Sequence, residues 1–136
     1  MTAPRGAAGA LVLLVDDEPD QVEMYQYGLE VAGFDVVPAY SGAAAIAQAR
    51  ERAPDVIVLD VRLGDITGWQ VCEALKAEPT TAQIPVVILT AAVSPTVPRE
   101  AVDSGCVAYL VKPCYPDELA QTIRAALGAT ESGDIR

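Results

Sequence analysis

The chain has 136 residues, of which 51% are hydrophobic, and its formal net charge is −10 at pH 7. This length and composition suit one globular domain with a single core rather than a disordered chain. The negative charge argues against direct binding of nucleic acid, and the absence of histidine excludes His-based triads, His-ligated zinc and phosphohistidine carriers.

Short apolar runs alternate along the chain with segments of helical periodicity. The runs predicted as strands are 11–15, 34–37, 55–60, 85–90 and 106–111. The first, third and fourth are nearly continuous stretches of Val, Ile and Leu, which is typical of strands buried on both faces of a parallel sheet. The third run ends on Asp60, which is therefore expected at the rim of the sheet.

Five helices are predicted between and after these strands. The first begins near Pro19 and ends at Gly33, and Ser41 is a favourable N-cap for the second, which ends near Ala53. The third begins near Gly68, the fourth covers 97–104, and the last ends at Gly128. The apolar face predicted for the first helix is Val22, Tyr25, Leu29 and Ala32, and that for the second is Ala43, Ile46 and Ala47. The face predicted for the third helix is Val71, Cys72 and Leu75, and that for the last is Leu119, Ile123 and Leu127.

Five strands that alternate with five helices predict a parallel sheet with right-handed crossovers and helices on both faces. One domain is expected over residues 10–128, with flexible tails at 1–9 and 129–136. No segment is long enough to span a membrane. Cys72, Cys106 and Cys114 are expected to be reduced, core-type thiols, and the protein is expected to be cytoplasmic.

Polar side chains follow four of the predicted strands. Asp16 and Asp17 follow the first, Asp60 ends the third, Thr90 ends the fourth and Lys112 follows the fifth. Because the carboxyl ends of parallel strands share one edge, where α/β sheets bind ligands, these side chains are expected to form one site. Clustered carboxylates repel one another and favour a hard divalent cation such as Mg²⁺. An aspartate can attack phosphorus, and fixed positive charge stabilises the transferring phosphoryl group.

With these residues in place, the chain resembles the receiver domain of response regulators in two-component signalling over residues 11–127. The matching motifs, in chain order, are Leu14-Val15-Asp16-Asp17-Glu18-Pro19, Val58-Leu59-Asp60, Gly68, Leu89-Thr90-Ala91 and Tyr109-Leu110-Val111-Lys112-Pro113. The resemblance implies a flavodoxin-like (βα)5 fold, a doubly wound parallel sheet of five strands in the order 2-1-3-4-5.

The resemblance also implies how the site binds metal. Asp17, Asp60 and the backbone carbonyl of Arg62 would bind Mg²⁺ directly, and Asp16 would act mainly through water.

The roles of the other site residues follow from the same resemblance. Asp60 would accept a phosphoryl group from a sensor histidine kinase or a histidine phosphotransfer protein. Thr90 would hydrogen-bond that group, Lys112 would pair with it, and Tyr109 would turn inward as Thr90 moves. Such a domain is not an enzyme beyond its own phosphorylation and dephosphorylation, and it acts through a downstream protein effector.

Two alternatives remain open. A degenerate receiver would serve only as a constitutive binding module, although the acid, threonine and lysine set is complete here. A phosphohydrolase of the haloacid-dehalogenase type would also use a strand-terminal aspartate. That family has a second aspartate two residues after the nucleophile, whereas this chain has Arg62 there. We expect Arg62 to lie near the phosphoryl group and to alter the access of water.

Overall fold

The computed structural model describes residues 9–91, 99 and 103–132, with side chains through residue 128. The elements are β1 (Leu11–Val15), α1 (Pro19–Val31), β2 (Asp35–Ala39), α2 (Gly42–Arg52), β3 (Val56–Leu59), α3 (Gly68–Lys76), β4 (Val86–Thr90), β5 (Ala108–Val111) and α4 (Pro116–Ser132). All strand pairs are parallel, and the sheet order is β2-β1-β3-β4-β5. The predicted fold class and strand order are confirmed.

Two apolar cores cover the two faces of the sheet. The first core lies under α1 and α4 and includes Val12, Leu14, Leu29, Val58, Leu89, Leu119 and Ile123. The second core lies under α2 and α3 and includes Leu13, Val15, Ala45, Ile57, Leu59, Val71 and Ile88. Successive strand residues alternate between the two cores, which is why β1 and β3 are apolar without a break.

The second strand is longer than its apolar run indicated. It covers Asp35–Ala39 and therefore includes Pro38, which the sequence prediction had placed after the strand. Pro38 lies opposite Leu14 in the register with β1. A proline without an N–H is tolerated here because β2 is an edge strand with a single neighbour.

The apolar stripe predicted for α2 is wrong, although its N-cap is confirmed. The hydroxyl of Ser41 accepts a hydrogen bond of 3.0 Å from the N–H of Ala44. The buried residues are Gly42, Ala45 and Ala49, whereas the predicted Ala43 and Ala47 are exposed and Ile46 is half-buried. A helix made largely of alanine has almost no hydrophobic periodicity, so the packing partners decide which face is buried.

The prediction that the last helix ends at Gly128 is wrong, because this helix continues to Ser132. An interior glycine costs a helix only about 1 kcal/mol relative to alanine, and Ala125, Ala126 and Leu127 before it are strong helix formers.

The helix predicted over 97–104 lies mostly outside the described residues, although Gly105 does have a positive φ of +80°. Within the described ranges, no helix has the length and apolarity needed to cross a bilayer.

None of the three cysteines is in a disulfide, as expected. Cys72 and Cys114 are buried and Cys106 is half-buried. Burial raises the pKa of both Cys72 and Cys114 to about 11, so these two thiols stay protonated at neutral pH.

Candidate functional site

The alternation along the strands decides which polar side chains meet at the carboxyl edge. Asp16, Asp60 and Lys112 continue the positions of β1, β3 and β5 that face the first core. Thr90 continues the positions of β4 that face the second core, and Tyr109 of β5 packs against that core too. Two acids and the lysine therefore project to the side of α1 and α4, with the hydroxyl reaching them from the other side of the sheet.

Asp60 is the centre of the site. It directly follows β3 and is only 8% exposed. Its Oδ1 accepts hydrogen bonds from the Thr90 hydroxyl at 2.7 Å and from the Arg62 N–H at 3.2 Å. Its Oδ2 accepts one from the Lys112 ammonium at 3.1 Å. Both carboxylate oxygens thus already face donors that suit an oxyanion.

The Lys112 ammonium bridges two buried carboxylates. Besides Asp60, it donates to Oδ2 of Asp16 at 2.6 Å. Burial raises the pKa of the Asp16 carboxyl, although its hydrogen bond with Lys112 acts in the opposite direction. Burial by itself would lower the pKa of Lys112, but the hydrogen bond to Asp16 and the charge of Asp60 outweigh it, so this pKa is raised. The lysine therefore stays charged at neutral pH.

Several hydrogen bonds hold the loop after β3 in place. Thr67 caps α3, and Gln70 completes a capping box that its T-x-x-Q spacing indicates but that the sequence analysis missed. Gly68 donates its N–H to the carbonyl of Val61 at 2.7 Å. The carboxylate of Asp65 accepts from two N–H groups at the start of α2, which lowers its pKa to about 2. The chain around Asp60 is thereby fixed to both neighbouring helices.

A cavity of about 760 Å³ opens over these groups. Asp16, Asp60, Thr90 and Lys112 lie at its acidic end. Further lining residues come from the first two turns of α1 and from the segment between β5 and α4: Gln21, Met24, Tyr25, Pro113, Cys114, Tyr115 and Pro116. The described part of the chain thus leaves a cavity directly against Asp60 and Lys112.

The other predicted site residues take different positions. Asp17 and Arg62 are exposed side chains that line the same cavity. Oδ2 of Asp17 lies 3.7 Å from the point that a Cβ on Gly64 would occupy. Tyr109 is half-buried against the second core rather than in the cavity wall. The structure thus joins the side chains of four predicted residues by direct contacts, brings the backbone N–H of Arg62 to Asp60, and places the side chains of Asp17 and Arg62 beside them.

The residues present suit a magnesium ion chemically. Asp16, Asp17 and Asp60 offer only oxygen donors, and the single ammonium of Lys112 offsets only part of their negative charge. Within the described residues, however, no three acidic, cysteine or histidine side chains are arranged as a metal-binding group. In this arrangement Lys112 occupies the space between Asp16 and Asp60.

Comparison with known proteins identifies the family of the chain. The family model of the response regulator receiver domain matches residues 12–124. The chain is 37% identical over 120 residues to the DNA-binding dual master transcriptional regulator RpaA of Synechocystis, covering 88% of this chain and 50% of RpaA. It is 34% identical over 126 residues to the phosphate regulon transcriptional regulatory protein PhoB of Pseudomonas aeruginosa, covering 93% of this chain and 55% of PhoB. It thus spans about half the length of these two relatives.

Solved structures show the same architecture. The chemotaxis response regulator CheY4 of Vibrio cholerae aligns with a TM-score of 0.81 and 32% identity, over 88% of this chain and 99% of that one. The receiver domain of the sensor histidine kinase PA1611 from Pseudomonas aeruginosa aligns with a TM-score of 0.82 and 26% identity, over 89% and 99% of the two chains. That structure has a magnesium ion coordinated in its active site cleft.

Proposed function

The chain belongs to the response regulator receiver domain family of two-component signalling, and on that premise we propose that Asp60 is its phospho-acceptor. The observation that carries the proposal is the environment of Asp60. Its carboxylate lies at the edge of an open cavity with a hydroxyl, an ammonium and a backbone N–H directed at its oxygens. The donor would be a phosphohistidine on a sensor histidine kinase or on a histidine phosphotransfer protein.

In the proposed reaction a carboxylate oxygen of Asp60 attacks phosphorus as the bond between phosphorus and the imidazole nitrogen breaks. The electron pair of that bond stays on the imidazole, which takes its proton from solvent. Charge is spread over the three equatorial oxygens of the transferring group. The Lys112 ammonium and the Thr90 hydroxyl, which contact Asp60, would bind those oxygens and stabilise their charge.

Magnesium is the cofactor in this proposal. Asp17, Asp60 and the backbone carbonyl of Arg62 would hold it, with Asp16 acting through water. When bound, Mg²⁺ supplies positive charge for the phosphoryl oxygens. The magnesium ion in the cleft of the PA1611 receiver domain supports the choice of metal.

The output of the proposed reaction is a change in a protein-binding surface. Movement of Thr90 toward a phosphoryl group would let Tyr109 turn inward, and a protein effector would bind the altered face. Such a domain catalyses only its own phosphorylation and dephosphorylation. A cytoplasmic location is part of the proposal and agrees with the absence of a disulfide among the three cysteines. RpaA is named as DNA-binding, but the match covers half of that protein, so the absence of nucleic-acid binding stays a prediction.

Intact mass spectrometry tests the proposal. After incubation with Mg²⁺ and acetyl phosphate, the wild type is expected to gain one phosphoryl group, about 80 Da, because an aspartyl phosphate forms. Asp60→Ala should gain nothing. Asp35→Asn changes an exposed acid at the first residue of β2, at the opposite end of the sheet, and should behave like the wild type. A wild type that binds Mg²⁺ but gains no mass would contradict the proposal and favour a constitutive binding module.

Arg62 gives a second prediction, about the lifetime of the phosphoryl group. Its exposed side chain lines the cavity beside Asp60. Replacing it with alanine is expected to speed autodephosphorylation about threefold, because water then reaches the phosphorus more easily. The loss of mass after removal of the phosphodonor measures this rate. Arg50→Ala removes the same charge from a surface pair with Glu78 and should leave the rate unchanged; equal rates for Arg62→Ala and the wild type would contradict the role.

A further inference from the structure

Tyr25 makes a buried contact that the function proposed above does not use. Its hydroxyl donates a hydrogen bond of 2.8 Å to the backbone carbonyl of Cys114. Tyr25 is 2% exposed and Cys114 is 6% exposed. The bond joins the middle of α1 to the segment that leads from β5 to α4, across 89 positions of sequence. A phenylalanine would fill the same apolar space, so the hydroxyl is explained by this bond and not by packing.

The segment held by Tyr25 carries Lys112. At its start, the N–H of Lys112 donates to the carbonyl of Thr90 at 2.9 Å, as a continuation of the β4–β5 pairing. Two residues later, the carbonyl of Cys114 is fixed by Tyr25. Lys112 begins the segment that these two hydrogen bonds hold, and its ammonium reaches Oδ2 of Asp16 at 2.6 Å and Oδ2 of Asp60 at 3.1 Å. The hydrogen bond from Tyr25 therefore limits how far the backbone of Lys112 can move away from Asp60.

The hydroxyl is a donor in this bond and belongs to the same site. Burial raises the pKa of Tyr25, so the hydroxyl stays protonated at neutral pH and can donate to the carbonyl. Tyr25 and Cys114 both line the cavity that contains Asp60 and Lys112. The tyrosine, its acceptor and the lysine thus form one continuous wall of the proposed phosphorylation site.

We propose that Tyr25 is a positioning residue that holds Lys112 at the phosphoryl site through the carbonyl of Cys114. This inference rests on the function proposed above, because it concerns the efficiency of the same reaction. Loss of the hydroxyl leaves a buried carbonyl without its donor and frees the segment to shift, and a small displacement of a charge-stabilising group is enough to slow a reaction.

The test compares Tyr25→Phe with Tyr27→Phe. The first is expected to take up a phosphoryl group from acetyl phosphate about fivefold more slowly than the wild type, because Lys112 is less well placed. It should also bind beryllium trifluoride, a phosphoryl mimic, more weakly, whereas its affinity for Mg²⁺ should not change. Tyr27 is 71% exposed on the same helix, so Tyr27→Phe should match the wild type in all three measurements.

A double-mutant cycle separates positioning from a general loss of stability. With Lys112→Met in the background, adding Tyr25→Phe should not slow phosphorylation further, because the group that it positions is gone. Additive losses would mean that Tyr25 acts independently of Lys112 and would overturn the inference. If the wild type is phosphorylated and Tyr25→Phe is phosphorylated at the same rate, the inference is overturned while the proposed function stands. A wild type that takes up no phosphoryl group would instead contradict the function, and this inference with it.

Discussion

Lys112→Met is expected to slow phosphorylation of Asp60 by about a hundredfold to a thousandfold, the range for removing one preorganised donor that stabilises charge in a transition state. The same change should lower the free energy of unfolding by about 3 kcal/mol, because it leaves two largely buried carboxylates without their shared counter-charge. The side chains of Asp16 and Asp60 are only 7% and 10% exposed in these ion pairs. Mass gain over time with acetyl phosphate measures the rate, and urea unfolding measures the stability.

The pH dependence of the free energy of unfolding of Lys112→Met tests whether the unpaired carboxylates cause its loss of stability. Burial raises the pKa of Asp16 and its hydrogen bond with Lys112 lowers it, so removal of the lysine should raise this pKa further. A carboxyl with a raised pKa in the folded state binds its proton more tightly there than in the unfolded chain. Protonation therefore favours the folded state as the pH falls. The deficit of Lys112→Met should be largest near neutral pH and should shrink as the pH falls through the raised pKa of Asp16.

Lys76→Met is the matched control for this prediction. It makes the same chemical change in the other lysine of the chain, which lies on α3 and donates to the carbonyl of Ala82. Its rate of phosphorylation should equal that of the wild type. If Lys112→Met were phosphorylated as fast as this control, the role of the lysine would be wrong.

Gly68→Ala is expected to lower the free energy of unfolding by about 3 kcal/mol, as overpacking against rigid atoms does. A Cβ on Gly68 would lie 2.4 Å from the carbonyl oxygen of Asp60 and 2.9 Å from Cα of Val61. These are backbone atoms, so no side chain can rotate away to make room. Either α3 or the end of β3 has to shift. A shift of the end of β3 moves Asp60 itself, so slower phosphorylation should accompany the loss of stability.

Gly128→Ala provides the contrast. Gly128 lies inside α4, and, apart from the backbone of that helix, a Cβ there would meet no atom of the described residues within 4 Å. Alanine should therefore stabilise the protein by about 0.5 to 1 kcal/mol through its better helix propensity. Urea unfolding of the two variants side by side measures both effects. A Gly68→Ala variant as stable as the wild type would mean that the chain around Asp60 is less tightly fixed than its contacts indicate.

Much of the fold could be predicted because its signals are local. β1 was predicted with its observed bounds, and β3 and β4 lie within the predicted runs, because a strand buried on both faces needs an unbroken apolar stretch. The beginnings of α1 at Pro19 and of α2 after Ser41 follow from backbone preferences of single residues. The errors arose where the local signal was weak or permissive, as in the alanine-rich α2 and at Gly128.

The candidate site divides in the same way. The sequence by itself determined that acids, a hydroxyl and a lysine follow strands whose carboxyl ends share one edge, because parallel βα units leave no other arrangement. Only the tertiary structure decided that Lys112 bridges Asp16 and Asp60 and that Tyr25 reaches the carbonyl of Cys114. These contacts join residues 52 to 96 positions apart. No local periodicity encodes such pairs, because they depend on how the packed helices and strands bring distant side chains together.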